Sequence, residues 1–175
     1  MGWTKILERE IYYTYGAADT LMEMVDEAEL DWRPPVPEGA QTTGWMTVGQ
    51  LLQHMTTSCG FLCQAFLKND WSFMPEPSGQ DEVSAPVEAM PSAPSVQAAR
   101  DALAKDREVA TAAIHEAGDE RMDTEMVKAP WGIEATLGEQ YLDMVRHLGQ
   151  HKSQLFYYLK LLGRPVHTGH LWGLE

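Results

Sequence analysis

At 175 residues, with 44 % hydrophobic and 22 % charged side chains, the chain has the size and composition of one folded domain, which excludes disorder and fibrous repeats. Twenty-six acidic against thirteen basic residues give a net charge of −13, and no Lys/Arg cluster interrupts that field, which argues against nucleic-acid binding; the excess acid reads as solvated helix faces. No apolar run approaches the ~18 residues of a membrane span, and Met1–Lys5 carries no basic region followed by an apolar stretch, so a cytoplasmic protein without membrane contact is expected.

The first segment, from about Thr4 to Leu30, repeats Leu7, Ile11, Thr14, Ala18, Leu21, Val25 and Ala28 every three or four residues, one face of an amphipathic helix. Asp31-Trp32-Arg33-Pro34-Pro35 ends it, because proline lacks the N–H a helix needs and restricts the residue before it. A loop leads to Met46. The second segment, 47–68, opens on Thr47-Val48-Gly49-Gln50, a capping box, and carries a stripe of Val48, Leu51, Leu52, Met55, Cys59, Leu62 and Phe66. Cys59 and Cys63 are too few for a disulfide framework and read as small buried hydrophobes rather than a redox or metal pair.

Asn69–Pro94, with Pro75, Pro77, Pro86, Pro91 and Pro94 and no period, reads as an extended connection. The third segment, 95–117, places Val96, Ala99, Leu103, Ala110 and Ile114 on one face and stops at Gly118. The fourth, 136–162, opens on a second capping box, Thr136-Leu137-Gly138-Glu139. It runs through Leu137, Tyr141, Met144, Leu148, Leu155, Leu159 and Leu162 to Gly163 and Pro165. Four such helices bury their stripes best as an all-α four-helix bundle spanning 1–175 as one domain. The long crossover between the second and third predicts that these two run parallel.

His147 and His151 are four residues apart and project from one face of the last helix; His54 lies on the shoulder of the second helix's stripe. Facing helices of a bundle build metal sites in this way, and three neutral imidazoles leave coordination positions open to water or substrate. The same pattern arises on solvated or satisfied faces, and spacing alone does not show that the three meet. Leu148 stands where a zinc-protease His-Glu-x-x-His motif has its base, and no Glu-x-x-His occurs, which disfavours a di-iron centre. Gln140, Gln154 and Tyr158 share the angular sector of the last-helix histidines and are candidate helpers or substrate contacts, with ordinary half-buried positions as the plainer reading. Asp106, within the third stripe, needs a partner: it could bond a ligating imidazole's second nitrogen or act as a base, with a salt bridge to a basic residue, or a mis-phased helix, as the plainer reading. His115, His167 and His170 read as surface or interface residues. Trp32, Trp45, Trp71 and Trp131 sit in or beside connections, where they either line the mouth of a site or seal the bundle's ends.

Trp45 with Thr47-Val48-Gly49-Gln50-Leu51-Leu52-Gln53-His54, His147-Leu148-Gly149-Gln150-His151 and the ending Tyr158-Leu159-Lys160-Leu161-Leu162-Gly163 resemble the DinB/YfiT-like superfamily over most of the chain. The resemblance implies an up-down-down-up bundle, in agreement with the parallel pair. It also implies one divalent transition metal on His54, His147 and His151, zinc or nickel ahead of iron, manganese or copper, and a homodimer. It further implies a metal-dependent enzyme that activates a low-molecular-weight thiol or water toward a small-molecule substrate, as an S-transferase or hydrolase. A non-catalytic metal-binding stress-response or dimeric interaction module is the alternative, and an empty histidine cluster a third.

Overall fold

Six helices and a short hairpin arise from these patterns in a computed structural model, which describes residues 2–36, 38–39, 44–74 and 87–174. Helix α1, Trp3–Glu23, buries Leu7, Ile11, Ala18 and Leu21. It stops short of Leu30, because Asp26 and Glu29 form a reciprocal capping box that starts a separate 3-10 turn over Glu27–Glu29 and leaves Ala28 exposed.

The second segment is two helices, α2 over Val48–Met55 and α3 over Gly60–Lys68. The predicted box at Thr47 and Gln50 is present, at 3.1 and 2.9 Å. Gln50 also donates from Nε2 to the carbonyls of Val87 and Met90, fastening the returning end of the long connection, whose Pro75, Pro77 and Pro86 lie outside the described residues.

The break between α2 and α3 has a local cause. Thr56, Thr57 and Ser58 donate their hydroxyls to the carbonyls of Gln53, His54 and Met55, satisfying acceptors that a continuing helix would have used. The restart is capped from another helix. Asp106, in the middle of α4 (Val96–Thr124), accepts the N–H groups of Gly60 at 2.9 Å and Phe61 at 2.7 Å, and the Tyr15 hydroxyl at 2.6 Å. Gly60 is required there, since a Cβ would lie 2.0 Å from the Asp106 carbonyl oxygen.

Helix α4 buries the predicted Val96, Ala99, Leu103, Ala110 and Ile114. At Gly118 the chain does take a left-handed φ of 69°, but it then resumes helix to Thr124. Asp119, just past that break, accepts the Thr4 N–H and hydroxyl and so caps α1. Two three-residue strands, β1 (Met126–Lys128) and β2 (Glu134–Thr136), pair antiparallel and deliver the chain into α5, Leu137–Leu161, through the predicted box at Thr136 and Glu139. A final helix, α6 (Thr168–Trp172), packs on α1 and α5 and is held by Lys152, which donates to the Leu171 carbonyl at 2.7 Å.

Contacts fix the directions. Thr4 meets Asp119, Tyr15 meets Asp106 and Asp19 meets Arg100, so α1 and α4 are antiparallel. Gly49 bonds to Ala93 at one end and Gly60 to Asp106 further along, so the α2–α3 arm runs parallel to α4. Gly138 lies against Trp3 and Gly149 near Thr14, so α5 runs with α1, completing the up-down-down-up order. Among the described residues no helix is long and apolar enough to cross a membrane.

Asp106→Ala removes the acceptor of the buried Tyr15 hydroxyl and of the Gly60 and Phe61 N–H groups, and a loss of about 3 kcal/mol is expected in equilibrium denaturation. Gly60→Ala is expected to lose about 2 kcal/mol by forcing α3 away from α4. A cost under about 1 kcal/mol for Asp106→Ala would mean that the break does not depend on this carboxylate.

Candidate metal centre

Helix α2 ends one residue after His54, and the turn that follows brings the Ser58 carbonyl toward α5. There His147 and His151 sit one turn apart on the face predicted from their spacing. His147 Nε2 lies 3.4 Å from His54 Nε2 and 3.0 Å from His151 Nε2, and one ligand atom from each of the three rings falls within 4.8 Å of the others. Ligands at 2.0–2.1 Å from a tetrahedral zinc ion stand about 3.3 Å apart, so the two closer separations are compatible with a shared ion as well as with a His–His hydrogen bond. Among the described residues this is the one group of three or more His, Cys, Asp or Glu side chains so arranged, and no carboxylate belongs to it.

Each last-helix ring is held from behind. His147 Nδ1 lies 3.1 Å from the Ser58 carbonyl, which only accepts, so Nδ1 carries the proton and Nε2 presents its lone pair to the cluster. His151 Nδ1 lies 3.1 Å from Gln154 Oε1; Gln154 Nε2 lies 3.0 Å from the Tyr158 hydroxyl, and that hydroxyl 3.1 Å from the Met46 carbonyl. Trp32 packs edge-on against Tyr158, ring centres 5.6 Å apart.

All three rings are half-buried, and burial is the main reason each is harder to protonate than a free imidazole. For His54, burial and then the neighbouring His151 and His147 push the pKa down to about 4. For His147 the Ser58 carbonyl opposes the downward shift, and for His151 the Gln154 amide does. The rings are therefore neutral near pH 7, the form in which imidazole binds a metal.

The other candidates fall elsewhere. Asp106 reaches neither an imidazole nor a basic residue; its oxygens are taken by Tyr15, Gly60 and Phe61. Burial raises its pKa, while those three donors pull it down and favour the carboxylate. Gln140 donates to the Val127 and Ile133 carbonyls and ties the hairpin to α5. Cys59 and Cys63 are buried and free, outside the histidine group. Trp71 and Trp131 pack with Phe66, each pair 4.7–5.9 Å between ring centres, at the hairpin end of the bundle, which fits sealing rather than a mouth. Trp45 is exposed, and His115 Nε2 lies 3.0 Å from the Glu8 carboxylate at the surface. Two open grooves, about 680 Å³ between α1 and α4 and about 760 Å³ between α1 and α5, do not include His54, His147 or His151.

What sequence reasoning missed are the carbonyls of Ser58 and Met46, backbone atoms that no residue type announces. The one available signal was the Thr56-Thr57-Ser58 run, which interrupts the helix.

Known proteins extend this picture. The sequence profile described as the DinB superfamily matches residues 10–155. A crystal structure of a DinB-like protein from Bacillus subtilis, YjoA, aligns at a TM-score of 0.62 over 91 % of this chain and 94 % of that one, at 16 % identity, a likeness of fold. No curated protein matches the chain significantly. With the profile covering most of its length and the bundle arranged in the same way, the chain belongs to the DinB superfamily.

Proposed function

We propose that the chain is a metal-dependent enzyme in which His54, His147 and His151 hold one divalent transition ion, zinc or nickel first, and that it activates a low-molecular-weight thiol or water as an S-transferase or hydrolase. One observation carries the reading: three Nε2 atoms from two helix arms converge at separations of 3.0 and 3.4 Å, and the Ser58 carbonyl directs the His147 lone pair inward. Without a cation or a shared proton, such lone pairs repel. Three neutral ligands leave the ion's charge uncompensated and a coordination position free, the donor set of reactive rather than structural sites. When bound, such an ion lowers the pKa of a thiol or water at that position.

The chain's own residues do the rest. Ser58 and Gln154 orient two of the rings, and burial keeps all three unprotonated near neutrality. The half-buried setting leaves the cluster reachable from solvent, as a small-molecule substrate requires. A homodimer, the family's implied assembly, belongs to the same proposal.

Untagged protein is expected to carry one divalent ion per chain by elemental analysis. His54→Gln, His147→Gln and His151→Gln should each weaken Co(II) binding by more than the roughly 10–100-fold that loss of an outer partner costs. Stoichiometric binding by the triple variant would remove the site. The loaded protein should accelerate reaction of a small thiol with a haloaromatic electrophile; no rate above free metal with any of several thiols rejects the transferase version.

Acid behaviour gives a separate check on the metal-free protein. His54 has a folded pKa of about 4 against 6.5 unfolded, so between these values the unfolded chain binds the extra proton and stability falls as pH falls. Denaturation midpoints of wild type should drop across that window more steeply than those of His54→Gln; parallel curves would mean that the ring is not buried as described.

A further inference from the structure

We infer that Gln154 and Tyr158 are positioning residues that hold His151 with its proton on Nδ1, and that they fasten this ring to the Met46 carbonyl at the start of the α2 arm. The Met46 carbonyl can only accept, so Tyr158, 3.1 Å away, spends its single proton there. Its phenol oxygen then accepts from Gln154 Nε2 at 3.0 Å, which fixes the amide's orientation and aims Gln154 Oε1 at His151 Nδ1. A carbonyl oxygen at 3.1 Å requires an N–H, so a neutral His151 carries its proton on Nδ1 and bares its Nε2 lone pair.

The opposite amide orientation shows what the relay prevents. With Nε2 of Gln154 facing the ring, Nδ1 would have to accept and the proton would move to His151 Nε2. That proton would point at His147 Nε2, 3.0 Å away, and a His–His hydrogen bond would close the cluster to a cation. The direction of one hydrogen bond at Met46 therefore selects between a ligating and a self-bonded pair. Met46 immediately precedes Thr47, the N-cap of the helix that carries His54, so the same relay joins the two arms that supply the ligands. The purpose of this arrangement rests on the metal reading above; its test does not.

The experiment is long-range proton–nitrogen NMR on metal-free protein labelled with ¹⁵N at histidine, followed by Co(II) titration. Wild type should show His147 and His151 as Nδ1–H tautomers. Tyr158→Phe frees the amide and should shift His151 toward Nε2–H, with Co(II) affinity about 10-fold weaker; Gln154→Leu should do the same, within the roughly 10–100-fold range of lost outer partners. Gln154→Glu, whose carboxylate also requires Nδ1–H, should restore the wild-type tautomer and affinity to within a few-fold. A merely structural role would not give rescue by Glu together with a tautomer change in Phe. Circular dichroism and the thermal midpoint establish that each variant is folded; Tyr158→Phe, the mildest, decides the matter if Gln154→Leu does not fold. A wild-type His151 found as Nε2–H, or an unchanged tautomer in Tyr158→Phe, overturns the inference. Correct tautomers in a protein that binds no Co(II) would instead sink the metal reading and leave the positioning role standing.

Discussion

The carboxylate of Asp106, accepting two backbone N–H groups of α3 and a phenol from α1, is the contact on which the geometry of the site depends. A second helix that ran unbroken from Val48 to Lys68 would spend the Ser58 carbonyl on an intrahelical bond. Because α3 starts afresh at Gly60, with its first donors capped by Asp106, that carbonyl is free to accept from His147. The residue does not touch an imidazole; it decides whether an imidazole has its acceptor. Thr56, Thr57 and Ser58 end α2, Asp106 starts α3, and both are needed, since a helix end left unsatisfied in the core would be costly.

The same device recurs. Asp119 of α4 caps α1 through Thr4, and Glu27 of the 3-10 turn accepts the N–H of Val96 at the start of α4. Part of the acidic excess is thus placed where orphan donors and the positive end of a helix favour a negative charge. These caps are non-local, joining residues far apart in the chain, so they fasten helices to one another as well as ending them. Composition alone suggests solvation; the structure gives some of these acids a structural role.

The bundle was legible because its signals are local and periodic. The two capping boxes sit where Thr47 and Thr136 predicted them, the stripes of α1, α4 and α5 are buried nearly as read, and the length of the crossover implied the parallel pair. What escaped depends on a few residues against a longer pattern. The stripe Val48–Phe66 stays apolar across the break, so periodicity overran Thr56-Thr57-Ser58; three-residue strands have no room to alternate, and α6 is a single short turn stabilised by tertiary contact. At the site, spacing placed His147 and His151 on one face but not which way their protons lie, because the deciding partners are carbonyls of distant residues. Asp106 was rightly singled out as needing a partner. The partner is a helix terminus, a group that exists only once the fold has made it.

The three histidines are not equivalent. His147 and His151 share one helix and each leans on an acceptor that fixes its proton, whereas His54 has no such outer partner among the described residues and stands in the last turn of α2. Two rings are therefore set by their own acceptors, and the third comes from an arm whose position is governed by the break and by the Met46 and Gln50 contacts. The arrangement also divides the work between the two arms: α5 supplies two of the rings, and the α2–α3 arm supplies the third together with the Ser58 and Met46 carbonyls that set where the α5 rings carry their protons.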